Sequence, residues 1–285
     1  MGVLFAFMWS SAFSTARIIV LEVPPLTALT LRFAISGFLG IGAALMMGQS
    51  FKLSPRQWMG MILFGICQNG IYLGANFVSM QWIEASLAAI IASTLPIQVA
   101  FLSAIFFREN IGWVGIAGIV SGFIGVLVIM STRWSFGFEL VGIILCVIAS
   151  LALCIATLTV KQALLSNNLL MVVGLQMVVG FVFTLIPALL FESLEPIKFS
   201  WELLGAFTYQ IIGPGLFGTW LWFKLVNRIG PTKASSFHFL NPFLGIAVAA
   251  VLLSEAITFF DIIGVIIITT GIIAVQLSKN QAQGN

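Results

Sequence analysis

The chain has 285 residues, 60% of them hydrophobic and 7% charged, with a formal net charge of +3 and a mean hydropathy of +1.15. Soluble domains carry about 25% charged residues, so this composition excludes a water-soluble protein. The apolar runs are continuous, unlike the alternating segments of about ten residues in a membrane barrel, and point to an all-α integral membrane protein.

Gly, Pro and polar breaks divide the sequence into ten spans near 3–20, 25–47, 57–78, 85–107, 111–131, 138–162, 169–191, 202–225, 232–253 and 259–278. The first starts at Val3 without a cleavable signal before it and contains "WSSAF". Its Trp9 is the one tryptophan set away from a span boundary, and either stacks on a substrate or packs the core. Trp58, Trp82, Trp113, Trp134, Trp201 and Trp222 are expected in an interfacial belt. In the second span, "PPLTALTLRF" places Arg32 about two turns inside. It either meets a substrate carboxylate or snorkels or pairs with backbone, and the latter pair of readings is favoured.

The third span spaces Gln68, Tyr72 and Asn76 four apart on one helical face, with Asn69 beside them. Polar side chains in lipid line a cavity or join helices, and the stripe admits both readings. In the fourth, Thr94 and Gln98 flank Pro96, whose missing N–H frees a carbonyl and kinks the helix. The fifth carries Gly112, Gly115, Gly118, Gly122 and Gly125, a close-packing face. Cys67, Cys146 and Cys154 have neither disulfide nor zinc spacing and read as buried packing residues. In the eighth, "TYQIIGPGLFGTW" sets Tyr209 and Gln210 one turn before Pro214, predicting a bent or discontinuous helix. The ninth holds the only histidine, His238, with Asn241 and Pro242 just after it.

Lys52, Arg56, Arg108, Lys161, Lys224, Arg228, Lys233 and Lys279 fall on one side of this ten-span topology, against Arg17, Arg133 and Lys198 on the other. That asymmetry predicts both termini in the cytoplasm. Setting residues 92–126 above 238–274 aligns Pro96 with Pro242, Glu109 with Glu255, Gly118 with Gly264 and Gly125 with Gly271, each pair 146 residues apart without a gap. Five helices followed by five helices reverse the orientation of the second copy, which gives an inverted-topology repeat. The expected boundaries are 1–133 and 134–285, within one compact membrane domain.

With "WSSAF", "PPLTALTLRF" and the twice-used Pro/"E…G" helix pair in view, the chain resembles the drug/metabolite transporter superfamily and, within it, the EamA family with its YddG-like amino-acid exporters. The resemblance implies alternating access, export of small metabolites and a central cavity lined by helices 1, 3, 4, 6, 8 and 9. Helix 1 lacks the membrane-embedded glutamate of the four-helix multidrug relatives, which argues against a proton-coupled polycation pump. The mid-membrane regions hold almost no basic residues, unlike the phosphosugar exchangers.

No Walker A loop, GxGxxG or mid-membrane acid pair occurs, and one histidine cannot make HExxH. An enzyme is therefore not expected. The expected protein is a monomeric secondary transporter of the bacterial inner membrane, exporting neutral or zwitterionic metabolites, amino acids and aromatic ones foremost. Lipophilic drugs, nucleosides, sugars or a scaffold role are the alternatives. Its partners are a small-molecule substrate and the lipid bilayer, with no cofactor, metal or nucleic acid. The candidate substrate residues are Trp9, Gln68, Tyr72, Asn76, Thr94, Gln98, Tyr209, His238 and Asn241, and Pro96, Pro214 and Pro242 are candidate gating kinks. His238 is the candidate proton carrier, being the only side chain whose unperturbed pKa lies near neutrality; a facilitator without coupling is the favoured reading.

Overall fold

The computed structural model describes residues 1–107, 112–133, 138–163, 168–193, 199–230 and 234–284. Among them the chain forms ten helical spans: α1 (Gly2–Glu22), α2 (Pro25–Met46), α3 (Pro55–Ser79), α4 (Ala85–Ser93 and Leu95–Phe107), α5 (Trp113–Arg133), α6 (Phe138–Ala163), α7 (Leu169–Phe191), α8 (Trp201–Gln210, Ile211–Gly218 and Thr219–Ile229), α9 (Ser236–Leu240 and Asn241–Leu253) and α10 (Phe259–Gly284). Six described helical stretches are long and apolar enough to cross a membrane by length and composition. Glu109, the sequence counterpart of Glu255, lies outside the described residues, as do Arg108, Trp134, Glu195, Lys198 and Lys233.

Local signals fix the helix ends. Pro25 starts α2 at a position whose N–H would have no partner anyway. Ser54 and Gln57 form a reciprocal capping box, the Gln57 side chain accepting from Ser54 N at 2.6 Å and Ser54 Oγ from Gln57 N at 3.4 Å. Ser200 accepts from Leu203 N at 3.0 Å, and Gly230, at φ 81°, ends α8 in a conformation that a side chain would resist. We call the end holding the N-terminus proximal and the other distal.

Two antiparallel helix pairs carry the bundle's symmetry. In α5 and α10, a Cβ on Gly118 would lie 2.5 Å from the Gly271 carbonyl, and one on Gly125 2.8 Å from that of Gly264. Moving each residue by 146 positions turns one contact into the other, so a pseudo-two-fold axis passes between these helices. In α2 and α7, a Cβ on Gly40 would lie 3.1 Å from Gly174 Cα. Such glycine contacts let the backbones close where lipid supplies no hydrophobic drive.

Two findings differ from the sequence expectations. The α8 span is neither broken nor discontinuous at Gly-Pro-Gly; it continues as a π-helical segment, Ile211–Gly218. The wider turn has i to i+5 bonding, which accommodates Pro214 without ending the helix. A matching π segment, Gly65–Leu73, lies in α3. These segments begin 146 residues apart, so the widening is part of the duplicated architecture. Trp222, expected in the interfacial belt, is 3% exposed and packs on Phe5 with ring centroids 4.9 Å apart. Helical rotation turns it inward while Trp113 and Trp201 remain 85% exposed at helix starts.

The prolines behave alike in both halves. α4 is interrupted at Thr94, with Pro96 the second residue of the resumed helix. In α9 a 3-10 segment, Ser236–Leu240, precedes Asn241, and Pro242 is again second.

Candidate functional site

A narrow cleft with about 40 Å³ of internal room lies between α1, α3 and α8, with α2 and α7 behind it. α1 contributes Trp9 and Phe13, α2 Arg32, α3 Gln68 through Met80, α7 Met177, and α8 Gln210, Pro214 and Thr219. Helices 4, 6 and 9, which the resemblance implied, do not line this cleft among the described residues. Their small faces are packed together instead: Gly245 of α9 sits against Ala89 of α4, and Ala88 and Ala89 are fully buried.

The expected α3 stripe is present, but its geometry is π rather than α. Asn69 and Leu73 join Gln68, Tyr72 and Asn76 along the wall because the wide turn presents neighbouring residues to the same side. The roles separate. Asn76 donates to the Tyr72 carbonyl at 2.8 Å and its Oδ1 accepts from Cys146 Sγ of α6 at 3.4 Å, so it joins helices. Asn69 donates to the Gln176 carbonyl at 2.8 Å and also bonds the Gln176 side-chain oxygen, tying α3 to α7. Gln68 Oε1 is buried without a partner.

Arg32 is 3% exposed, so of the two favoured readings it pairs with backbone rather than snorkelling. Its Nε donates to the Gln210 carbonyl at 3.2 Å, and its guanidinium lies 5.6 Å and 6.0 Å from the Phe33 and Phe77 ring centroids. Nη1 has no hydrogen-bond partner, and no carboxylate of the described residues pairs with this arginine. Gln210 donates through Nε2 to the Ala12 carbonyl at 2.6 Å and to Thr15 Oγ1 at 2.9 Å, leaving Oε1 unpartnered. A buried cation without an anion is costly in a membrane interior. The cleft lining thus holds an anion-seeking fork and two unpartnered amide oxygens, edged by Trp9, Tyr72 and Phe77.

The other sequence candidates fall elsewhere. Tyr209 does not line the cleft; it bonds Ser11 at 2.6 Å and lines a lateral groove with Phe7, Leu244 and Val248. Gln98 donates to Thr94 at 2.9 Å and to Ser150 of α6 at 2.8 Å, away from the cleft. His238 and Asn241 are both fully buried, behind Trp9 rather than in the lining. Pro214 lines the cleft, whereas Pro96 and Pro242 do not. Sequence reasoning missed Gln176 and undervalued Arg32 and Gln210. A lone glutamine inside "LLMVVGLQMVVG" was a usable signal, because an amide in such a run needs an interior partner.

A ten-span helical bundle with inverted halves around an interior cleft is an arrangement that membrane transporters use. The EamA-like transporter family matches residues 1–131 and again 140–277, and the chain belongs to it. It is 27% identical over 266 residues, 93% of each chain, to an uncharacterized transporter of Archaeoglobus fulgidus. It is 23% identical to the uncharacterized transporter YvbV of Bacillus subtilis, over 97% of this chain and 90% of that one. An S-adenosylmethionine/S-adenosylhomocysteine transporter of Chlamydia muridarum is 29% identical over 125 residues, 43% of this chain and 39% of the relative. Among solved structures, one crystal structure superposes with a TM-score of 0.71 at 20% identity, covering 97% of this chain and 96% of the other.

Proposed function

We propose that the chain exports small zwitterionic metabolites, amino acids with apolar or aromatic side chains first, by alternating access across a bacterial inner membrane. Both termini face the cytoplasm in this reading, which follows the lysine and arginine asymmetry of the sequence. The single observation that carries the substrate class is Arg32, buried without a carboxylate and with Nη1 unpartnered. A substrate carboxylate supplies the missing anion through charge-assisted hydrogen bonds. The unpartnered oxygens of Gln68 and Gln210 suit an ammonium group, and Trp9, Tyr72 and Phe77 suit an apolar side chain.

A second reading takes S-adenosylmethionine as the substrate. It rests on the chlamydial relative's described substrate and on the α-amino-acid head group of that molecule, which would use the same arginine.

Counterflow in proteoliposomes tests both readings. Vesicles loaded with an unlabelled compound are assayed for accumulation of labelled L-phenylalanine, L-leucine, S-adenosylmethionine, glucose and uridine. Exchange of the amino acids supports the first reading, and exchange of S-adenosylmethionine alone supports the second. Exchange confined to glucose or uridine sinks both.

A further inference from the structure

We propose that His238 is a positioning residue for Trp9: with Asn241 it clasps α1 from behind and holds the indole that walls the cleft. The proposal rests on the reading of the cleft as the substrate site, and one arm of its test stands apart from that reading.

The clasp has two adjacent grips on α1. The imidazole meets the Trp9 ring at 5.1 Å between centroids and an interplanar angle of 87°, an edge-to-face contact. Asn241 accepts through Oδ1 from Ser10 Oγ at 3.2 Å. His238 and Asn241 are joined to each other, the amide nitrogen lying 2.9 Å from Nδ1. With the amide oxygen taken by Ser10, the NH2 group faces the imidazole, so Nδ1 accepts and the ring proton of the neutral form sits on Nε2. This tautomer follows from the network rather than from any observed hydrogen. Nε2 has no hydrogen-bond partner, and the ring also meets Phe5 at 5.3 Å and Trp222 at 5.5 Å. The histidine is thus enclosed by aromatic rings on the side away from Asn241, without contact with the cleft.

The far side of Trp9 completes the chain of contacts. Its indole stacks on Tyr72 with centroids 5.8 Å apart and planes 17° apart, and both residues line the cleft. Trp9 also packs against both apolar clusters of the bundle, one toward each end. It is therefore fixed by α9 on one side and by the π segment of α3 on the other.

The location gives the clasp a role in transport. His238 lies in the 3-10 segment that precedes Asn241 and Pro242, so it stands where α9 passes from 3-10 to α-helical winding. Any change in that junction moves both grips on α1 and tilts the indole against the substrate. The equivalent positions in the first half are Ala92 and Leu95, which cannot make such a clasp. The device is private to the second half, while the interruption before the proline is common to both.

The test uses the full chain labelled with 5-fluorotryptophan and observed by fluorine NMR in detergent. The Trp9 line is assigned by its loss in Trp9→Phe. His238→Ala shifts or broadens that line, and His238→Phe, which restores a ring, returns it toward the wild-type position. Asn241→Ala, which leaves the ring but cuts the Ser10 grip, also shifts it. In L-phenylalanine counterflow, His238→Ala raises KM about five- to ten-fold, and His238→Phe recovers most of the loss. The double variant Trp9→Phe/His238→Ala is no worse than Trp9→Phe alone, the non-additivity expected of residues acting as one unit.

An unmoved Trp9 line in folded His238→Ala or Asn241→Ala overturns the proposal, as do additive losses in the double variant. It is equally overturned if His238→Phe matches His238→Ala in KM and both lose a response to an imposed pH gradient, the mark of a proton carrier. Should wild-type protein move no L-phenylalanine, the amino-acid reading fails while the NMR arm still decides the role of His238. If His238→Ala does not fold, His238→Phe and Asn241→Ala supply the same comparisons.

Discussion

The Ser121 hydroxyl donates to the Ile267 carbonyl at 3.2 Å, and these two residues are counterparts, 146 positions apart in the duplicated sequence. A residue that touches its own equivalent marks the pseudo-two-fold axis. On either side of it, Gly118 meets Gly271 and Gly125 meets Gly264. The contact leaves no room for a methyl group, since both approaches end on backbone carbonyls. Gly118→Ala and Gly271→Ala should each destabilise the protein by about 1–3 kcal/mol through overpacking. A methyl group on Gly42 of α2 would have nothing within 4 Å, so Gly42→Ala should hold or raise stability by up to about 1 kcal/mol. Thermal unfolding in detergent checks the contrast, and equal losses at Gly42 and Gly118 would show that the crossing is not tight.

Arg32 gives the sharpest chemical prediction. If its guanidinium reads a carboxylate, wild-type protein should prefer L-phenylalanine over L-phenylalaninamide by about 100-fold or more, because a site built for a polar group rejects a ligand lacking it. In Arg32→Gln that preference should collapse, with amino-acid transport itself falling at least about ten-fold. Arg32→Lys should not restore it, since lysine lacks the planar fork and the Nε bond to the Gln210 carbonyl. Counterflow with the acid and the amide as competitors measures all three. Unchanged discrimination in Arg32→Gln would remove arginine from the substrate site.

At the distal end, Glu255 accepts from the Ala85 and Ser86 amides at 2.9 Å and 3.1 Å, capping α4 from the end of α9. Glu192 does the same for α2 from the end of α7, accepting from Leu26 N, Thr27 N and Thr27 Oγ1 at 2.7–2.8 Å. A carboxylate suits the positive end of a helix. Glu255→Ala should therefore speed hydrogen exchange in the peptide covering Ala85 and Ser86 and lower stability by about 1–3 kcal/mol. Exchange that stays as slow as in wild type would mean the cap carries no load.

Ser254, immediately before that glutamate, is the one non-glycine residue at positive φ among those described, at φ 56° and ψ 29°. The turn swings Glu255 back over α4, and a side chain there is held against its preference. Ser254→Gly should raise stability by about 0.5–1 kcal/mol, whereas Ser254→Val should lower it by more than that. Paired melting curves decide this, and a destabilised glycine variant would show that the serine is not strained.

Much of the architecture was legible in the sequence because membranes make it so. Apolar runs long enough to span, punctuated by glycine and proline, placed the ten spans, with ends differing mostly by a few residues. The repeat could be read because Gly118, Gly125, Gly264 and Gly271 answer one steric demand twice. The site was legible only in part. Gln68 and Tyr72 were found by four-residue spacing, but that spacing assumes an α-helix and gives no sign of a π segment, which depends on packing against other helices. For Arg32, snorkelling and backbone pairing could not be separated, because its position along α2 is known from sequence and its neighbours are not. Trp222 was assigned to an interface for a similar reason: depth could be guessed, rotation could not.

The glycine crossing bears on how such a chain could have arisen. Gly118 and Gly125 sit seven residues apart on α5, and each is what the other's counterpart meets on α10. A chain ending after α5 would carry both halves of that contact on its own surface. Two copies inserted in opposite directions could dock Gly118 on Gly125 twice over. Joining the genes would then fix one copy of each orientation in every molecule, freeing the halves to diverge. The His238–Asn241 clasp on one side, facing Ala92 and Leu95 on the other, is a difference that an assembly of identical chains could not have kept.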